Sequence, residues 1–338
     1  MKKGGKGIAV AGSLLADLSY FIDTYPEPGL LTKIRKSVCD VGGSGNLILD
    51  LARLDGELPV KVSAVIGKDE HGRMLAEELS RYPNIDLGNV TRQGESSVTI
   101  VMNAADTRQR TFFFRPAGSD IYDETYIDWE RMEADIFHLE YLFLMERVDS
   151  EDAEYGTHGA RILHEAQKRG MRTSIDIVSE QSTRAEKIVS ASLKYTDYCS
   201  LNEVEAQAVT GVSFLKDGRV QERQIREAFR RLAEKGVAVW AVIHAPEWSY
   251  GYDCRQDQMI YLPSLELPEG YIKGTTGAGD AYCSGILYGA YKGWGLEQAM
   301  KLGTACAACS LSEANGTDGL RPYEEVMKVW EKYRRTEK

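Results

Sequence analysis

The chain has 338 residues, 43% hydrophobic and 27% charged, which is enough apolar material for a core and excludes a disordered or fibrous chain. Lysine and arginine total 41 against 51 acidic residues, a formal charge of −10. No nucleic-acid partner is expected from that balance, because binding a phosphate backbone needs a basic footprint; a local anion site built from a few backbone amides remains open.

Lys2, Lys3 and Lys6 precede an apolar stretch at 8–16 that loosely imitates a secretory signal. Gly12 and Ser13 break it and Asp17 follows at once, so 7–12 reads as a first core strand. No run reaches the ~18 apolar residues that span a bilayer. A cytoplasmic protein without a membrane partner is expected.

Strand-like runs follow at 62–66, 136–139, 173–175 and 237–243, separated by helical patterns. Leu47, Ile48, Leu51 and Leu54 form one apolar stripe, and Ile225, Ala228, Phe229 and Leu232 form another. Two-sided apolar strands alternating with amphipathic helices imply an α/β fold, a mostly parallel sheet covered on both faces. Right-handed crossovers place the strand-to-helix loops at one sheet edge, where ligands bind. Two strand-like stretches break the rhythm, 18–38 and 97–115. Neither is followed by a helical pattern, so both are expected as antiparallel ribbon. Together they would form a small sheet, at approximately 15–38 and 97–117, acting as a lid inserted in a single domain spanning 1–338.

The six cysteines are scattered, and Cys306 and Cys309 lie in an Ala-rich helical stretch without a second Cys or His pair. They read as small buried helix residues rather than zinc ligands.

The most informative segment is Gly274-Thr275-Thr276-Gly277-Ala278-Gly279-Asp280-Ala281, which leads into a helix. Small residues there let successive N–H groups of Gly277, Ala278 and Gly279 face one point, and the helix dipole adds positive potential for a phosphate. Asp280 in the first turn is then suited to take a proton from an attacking hydroxyl. A helix carboxylate that merely complements its own dipole is the alternative. Neither a P-loop nor a complete dinucleotide fingerprint occurs.

With these residues in view, the chain resembles the ribokinase-like (PfkB) family of carbohydrate and nucleoside kinases. The resemblance runs nearly end to end: Gly42, Gly43 and Asn46 with Ala52, Arg53 and Leu54; Val65, Ile66 and Gly67 with Asp69, Gly72 and Leu75; Asn202-Glu203-Val204-Glu205; and Gly277-Ala278-Gly279-Asp280. It implies a ribokinase-like three-layer sandwich with a small β-sheet lid, and ATP-dependent phosphorylation of a small carbohydrate hydroxyl. Asp280 would be the base and the 277–280 turn the anion hole. Asp17, Gly42, Gly43 and Asn46 would hold substrate hydroxyls, and Arg115 would read an anionic group on the substrate. Asn202 and Glu205 would orient Mg²⁺, through water, beside a nucleotide also touched by His244, Thr275, Gly277 and Gly279. A helix-capping Asn46, a capping Asn202 and a solvated Glu205 are the structural alternatives.

This chain departs from the family at three places. Gly274 replaces the usual Asp in a turn that also serves a monovalent cation, which puts K⁺ dependence in question. His244-Ala245-Pro246-Glu247 replaces a Thr- and Gly-rich phosphate loop. Arg115 precedes Pro116 in a region where several family members contact substrate. The rival readings are a nucleoside kinase of the same family and a catalytically weak sugar- or nucleotide-binding protein. A third reading is a structural homodimer whose lid sheets pair edge to edge, and dimerisation is compatible with the enzyme as well.

Overall fold

The first strand, Ile8–Gly12, sets the layering. Ile8 and Val10 enter one apolar cluster and Ala9 and Ala11 the other, the period-two alternation of a strand buried on both faces. Residues 5–107, 109–179 and 184–335 are described in the computed structural model. Lys2 and Lys3, which begin the signal-like stretch, lie outside them.

Nine strands form the main sheet. The order runs from Gln258–Pro263 through Trp248–Asp253, Trp240–His244, Tyr198–Asn202, Arg172–Ile177, Ile136–Leu142, Ile8–Gly12 and Val60–Ile66 to Ile85–Arg92. The seven from Trp240–His244 to Ile85–Arg92 pair in parallel; Trp248–Asp253 and Gln258–Pro263, at one end of the sheet, add antiparallel. Helices cover both faces. Ser44–Leu54, Ala278–Lys292 and Leu296–Leu311 pack on one side; His158–Lys168, Glu203–Thr210 and Glu222–Lys235 pack on the other. The three-layer α/β expectation holds.

Glycines let Ala278–Lys292 and Leu296–Leu311 come close, since a Cβ on Gly285 would lie 2.5 Å from the Gly303 backbone. Cys306 and Cys309 are buried free thiols at this helix contact. No helix among the described residues is long and apolar enough to cross a membrane.

The second sheet has four strands, in the order Ile34–Gly43, Leu14–Ile22, Val98–Ala104, Arg110–Arg115. Its outer pairs are antiparallel and its central pair parallel, so two ribbons distant in sequence join through the middle. Two local expectations are corrected. Ile34–Gly43 runs straight into the helix Ser44–Leu54, so the first ribbon does lead into a helix. The strand expected over 237–243 begins at Trp240. The amides before it turn elsewhere, Val237 to Leu232 O, Ala238 to Thr196 O and Val239 to Asp197 O, which makes 237–239 a connector.

Candidate active site

The turn before Ala278–Lys292 has the geometry its small residues suggest. Gly277 is left-handed, φ 74°, and a Cβ there would sit 2.4 Å from Gly316 O, so the bend depends on glycine. No side chain caps this helix, which leaves its first amides for an incoming acceptor. Asp280 lies in the first turn, 5% exposed. Burial raises its carboxyl above the ordinary value, and hydrogen bonds from Tyr141 and Asn46 oppose that rise. The Tyr141 hydroxyl donates to Oδ1, and Asn46 Nδ2 donates to Oδ2 at 2.9 Å. A carboxylate with two fixed donors is held in one orientation rather than left to solvent.

Two cavities flank the turn. One, of about 170 Å³, lies beneath the small sheet, lined by Asp17, Asp40, Asn103 and Lys36 and reaching Thr276 and Gly316. The other, of about 560 Å³ and mostly apolar, is lined by Asn202, His244, Trp248, Leu265, Tyr282 and Leu311, and reaches Thr275, Ala278 and Gly279. The bend therefore stands between a small polar chamber and a larger apolar one.

On the small-chamber side, Asp17 faces the cavity and its carboxylate folds over Gly42, where a Cβ would lie 2.4 Å from it. Burial, then the charges of Asp280 and Asp40, push Asp17 up to about 7. Gly43 is left-handed, φ 60°, and a Cβ there would meet Ser13 O at 2.1 Å. It starts the helix Ser44–Leu54, so Asn46 lies inside that helix and does not cap it. Its amide is turned instead onto Asp280. Arg115 is displaced from the role the resemblance implies: it pairs with Glu95 at 3.1 Å and with Ser96 O at 3.2 Å at the exposed edge of the small sheet, and it lines neither chamber.

On the other side, Asn202 and Glu205 form a reciprocal capping box. Asn202 Oδ1 accepts from the amides of Val204 and Glu205 at 2.9 Å, and Glu205 Oε2 accepts from Asn202 N at 2.8 Å. Glu205 Oε1 takes the Ser179 hydroxyl at 2.7 Å. The glutamate is 7% exposed, not solvated. Since both side chains are committed, this pair fits a metal ion only through intervening water.

His244 ends its strand directly opposite Asn202, with its ring 5.0 Å from that of Tyr282. Burial depresses it to about 4, so it is a neutral imidazole near pH 7. Pro246 sits in the tight turn closed by the reciprocal bonds of Ala245 and Trp248, where no proline N–H is needed. Gly274 has an equally local reason: a side chain there would meet the carbonyls of Ala314 and Glu313 at 2.7 and 2.9 Å.

Four residues of the site escape the sequence reading. Arg110, opposite Asn103 in the small sheet, donates to the hydroxyls of both Thr275 and Thr276. Tyr141 holds Asp280. Glu140 and Asp176 bring carboxylate oxygens within 4.8 Å of Asp280's. Glu140 is fully buried, and burial followed by the charge of Asp280 raises it well above the ordinary value. Ionisable residues inside apolar strand runs, 136–142 and 172–177, were the available signal for the two acids. Arg110 carries no such mark.

Comparison with known proteins gives the family and the fold. The model of the family described as pfkB family carbohydrate kinase matches residues 6–322. A sugar kinase of Archaeoglobus fulgidus, itself uncharacterized, is 25% identical over 257 residues, covering 75% of this chain and 92% of that one. The 5-dehydro-2-deoxygluconokinase of Shouchella clausii is 22% identical over 302 residues, covering 85% of each chain. Among solved structures, Arabidopsis thaliana ribokinase complexed with ribose and ATP superposes with a TM-score of 0.79 at 19% identity, covering 97% of this chain and 99% of that one. The ribokinase of Thermotoga maritima gives 0.77 at 21% identity, covering 96% and 99%.

Proposed function

Because the chain belongs to the pfkB family of carbohydrate kinases, and is thus a phosphotransferase acting on an alcohol group, we propose that it moves the terminal phosphoryl of ATP onto a hydroxyl of a small carbohydrate, with Asp280 as base and the 277–280 turn as anion hole. The observation that carries this reading is the placement of Asp280. It is buried, doubly hydrogen-bonded and in the first helical turn, behind a bend that separates the two chambers.

The acceptor occupies the chamber under the small sheet, held by Asp17, whose carboxylate lies over Gly42, with Gly43 beside it in the same strand. ATP occupies the apolar chamber, with His244 and Thr275 near its phosphates. The amides of Ala278, Gly279 and Asp280 stabilise charge on the transferring group, and Asp280 takes the acceptor's proton. Phosphoryl transfer needs chiefly positioning and electrostatics, and this arrangement supplies both. A Mg²⁺ ion, when bound, neutralises charge across the phosphate oxygens; Asn202 and Glu205 would order its waters. Arg110 bridges the small sheet, the lid inserted in a single domain spanning 1–338, and the bend, and so sets a guanidinium beside the phosphoryl position. Without a carboxylate at 274, activity is not expected to depend on K⁺.

Exposed Leu30, Leu31, Ile34, Phe112 and Phe113 on or beside the small sheet favour a homodimer that covers them. ATP supply and free cysteines both suit the cytoplasm. The testing experiment is an ADP-release screen with the purified chain and its Asp280→Asn variant. Turnover in the variant should fall by roughly 10²- to 10⁴-fold, the usual weight of a general base, with an unchanged melting temperature. Near-normal turnover would remove the mechanism.

A further inference from the structure

Three buried carboxyl groups meet behind the bend. Oxygens of Glu140, Asp176 and Asp280 lie within 4.8 Å of one another, brought together by two parallel strands and the first turn of the helix Ala278–Lys292. None of the three residues is more than 9% exposed. Among the described residues no lysine or arginine pairs with any of them. Like charges so close and so far from water cannot all persist, so at least one of the three acids holds a proton.

The donors around them decide which. Asp280 accepts from the Tyr141 hydroxyl and from Asn46 Nδ2. Asp176 Oδ1 accepts from the Ile177 amide at 2.7 Å. Neither oxygen of Glu140 receives a hydrogen bond, and the one proton of the Tyr141 hydroxyl is already given to Asp280. His138 brings Nε2 to 3.3 Å from Glu140 Oε2, out of line for a bond, and burial depresses the ring to about 3, so it is neutral. Hydrogen-bond donors favour the charged form of an acid, and Glu140 is the acid without them. Burial, followed by the charges of Asp280 and Asp176, raises it well above its ordinary value. The other neighbours do not reverse this. Burial keeps the Cys283 thiol neutral, and Glu205 adds negative charge beyond Asp176.

A carboxylic acid has one O–H to give, which a carboxylate lacks. The carboxyls of Glu140 and Asp280 are in hydrogen-bonding contact, which two carboxylates could not be. We infer that Glu140 is a positioning residue whose carboxylic O–H donates to Asp280, a third donor that holds the base as an oriented carboxylate. Such a bond to an ionised acceptor is of the stronger kind. Glu140 lines neither chamber, so it acts through Asp280 and not on a ligand. This inference rests on the reading of Asp280 as base, but the two fail separately.

Infrared difference spectra of the full chain against Glu140→Gln read the proton without turnover. At neutral pH the parent should show the carbonyl stretch of a neutral carboxylic acid that the variant lacks; carboxylate bands in its place would overturn the inference. Steady-state pH profiles read the role. Glutamine keeps a donor at the same reach, so kcat/KM should stay within about three-fold and the acid limb should not move. Glu140→Leu removes the donor. Its acid limb should shift upward by about one to two pH units, and kcat/KM on that limb should fall by about 10- to 100-fold.

A charged Glu140 gives the opposite sign, since either substitution would then remove a repelling neighbour and move the limb to lower pH. That result overturns the inference, and so does a loss of activity in both variants with neither limb moved. If the leucine variant does not fold, the glutamine profile and the infrared band decide. Normal turnover in Asp280→Asn with the band intact would retire Asp280 as base and leave the proton on Glu140. Turnover lost in Asp280→Asn with no band in the parent would retire this inference and leave the kinase reading.

Discussion

Asn46 and Asp280, 234 positions apart in the chain, meet in a buried hydrogen bond of 2.9 Å. The bond joins the helix that follows the strand Ile34–Gly43 to the helix that follows the bend at Gly277. A carboxylate this deeply buried keeps its charge only through such donors.

Removing one donor should therefore weaken Asp280 in its proposed role as base. In Asn46→Leu, Asp280 loses a bond that holds its carboxyl down, so the value rises further. The base must be ionised to act, and the acid limb of the kcat/KM profile should move to higher pH. Turnover at neutral pH should drop by about 10- to 100-fold, the scale of one bond to a charged group. Steady-state profiles of both proteins check it; an unmoved limb would detach Asn46 from the base.

Arg110 and Arg115 should differ sharply. Arg110 reaches the threonines of the bend, whereas Arg115 pairs with Glu95 at the exposed sheet edge. Arg110→Met should lower kcat by about 10- to 100-fold through lost charge-assisted bonding. Arg115→Met should cost less than about three-fold, as exposed ion pairs contribute little. Equal effects would place the cationic contact elsewhere.

Because burial holds His244 at about 4, it stays neutral across the working range. The affinity for an ATP analogue, measured by calorimetry from about pH 5.5 to 8, should show no titration removed by His244→Gln; at an ordinary value near 6.5 such a step would be seen. A step abolished by the substitution would put a charged imidazole at the phosphates.

Asp50 is fully buried, with no hydrogen bond to either oxygen. Burial, reinforced by the charge of Asp280, raises it well above its ordinary value of 3.8. The folded state thus binds this proton more tightly than the unfolded chain does. The contribution is fully present below that ordinary value and is lost as pH rises through the higher folded value. Asp50→Asn cannot ionise, so its melting temperature should exceed that of the parent increasingly toward alkaline pH. Thermal melts at successive pH values check the slope; parallel curves would contradict it.

The reading from sequence and the folded chain agree where the physics is local. Strand and helix periods between 8 and 311 depend on side-chain alternation over a few residues, and the bend at Gly277 on small residues next to a helix. Both can be recognised in a linear string. The Asn202–Glu205 spacing was equally legible, but it serves a capping box as readily as a metal. Only the Ser179 hydroxyl on Glu205, brought from another segment, shows that the carboxylate is fully engaged.

The layered α/β architecture, the bend and the acid beside it could be read from the residues in order, because short-range backbone geometry and periodicity decide those. Tertiary structure alone decided which groups converge on that acid. Arg110 faces the bend and Arg115 does not, since five positions along a strand reverse the face. Tyr141, Glu140 and Asp176 reach Asp280 because parallel pairing aligns the ends of separate strands. The opposition of Asp17 and Asp40 depends on cross-strand register, a relation between distant segments that no local pattern contains.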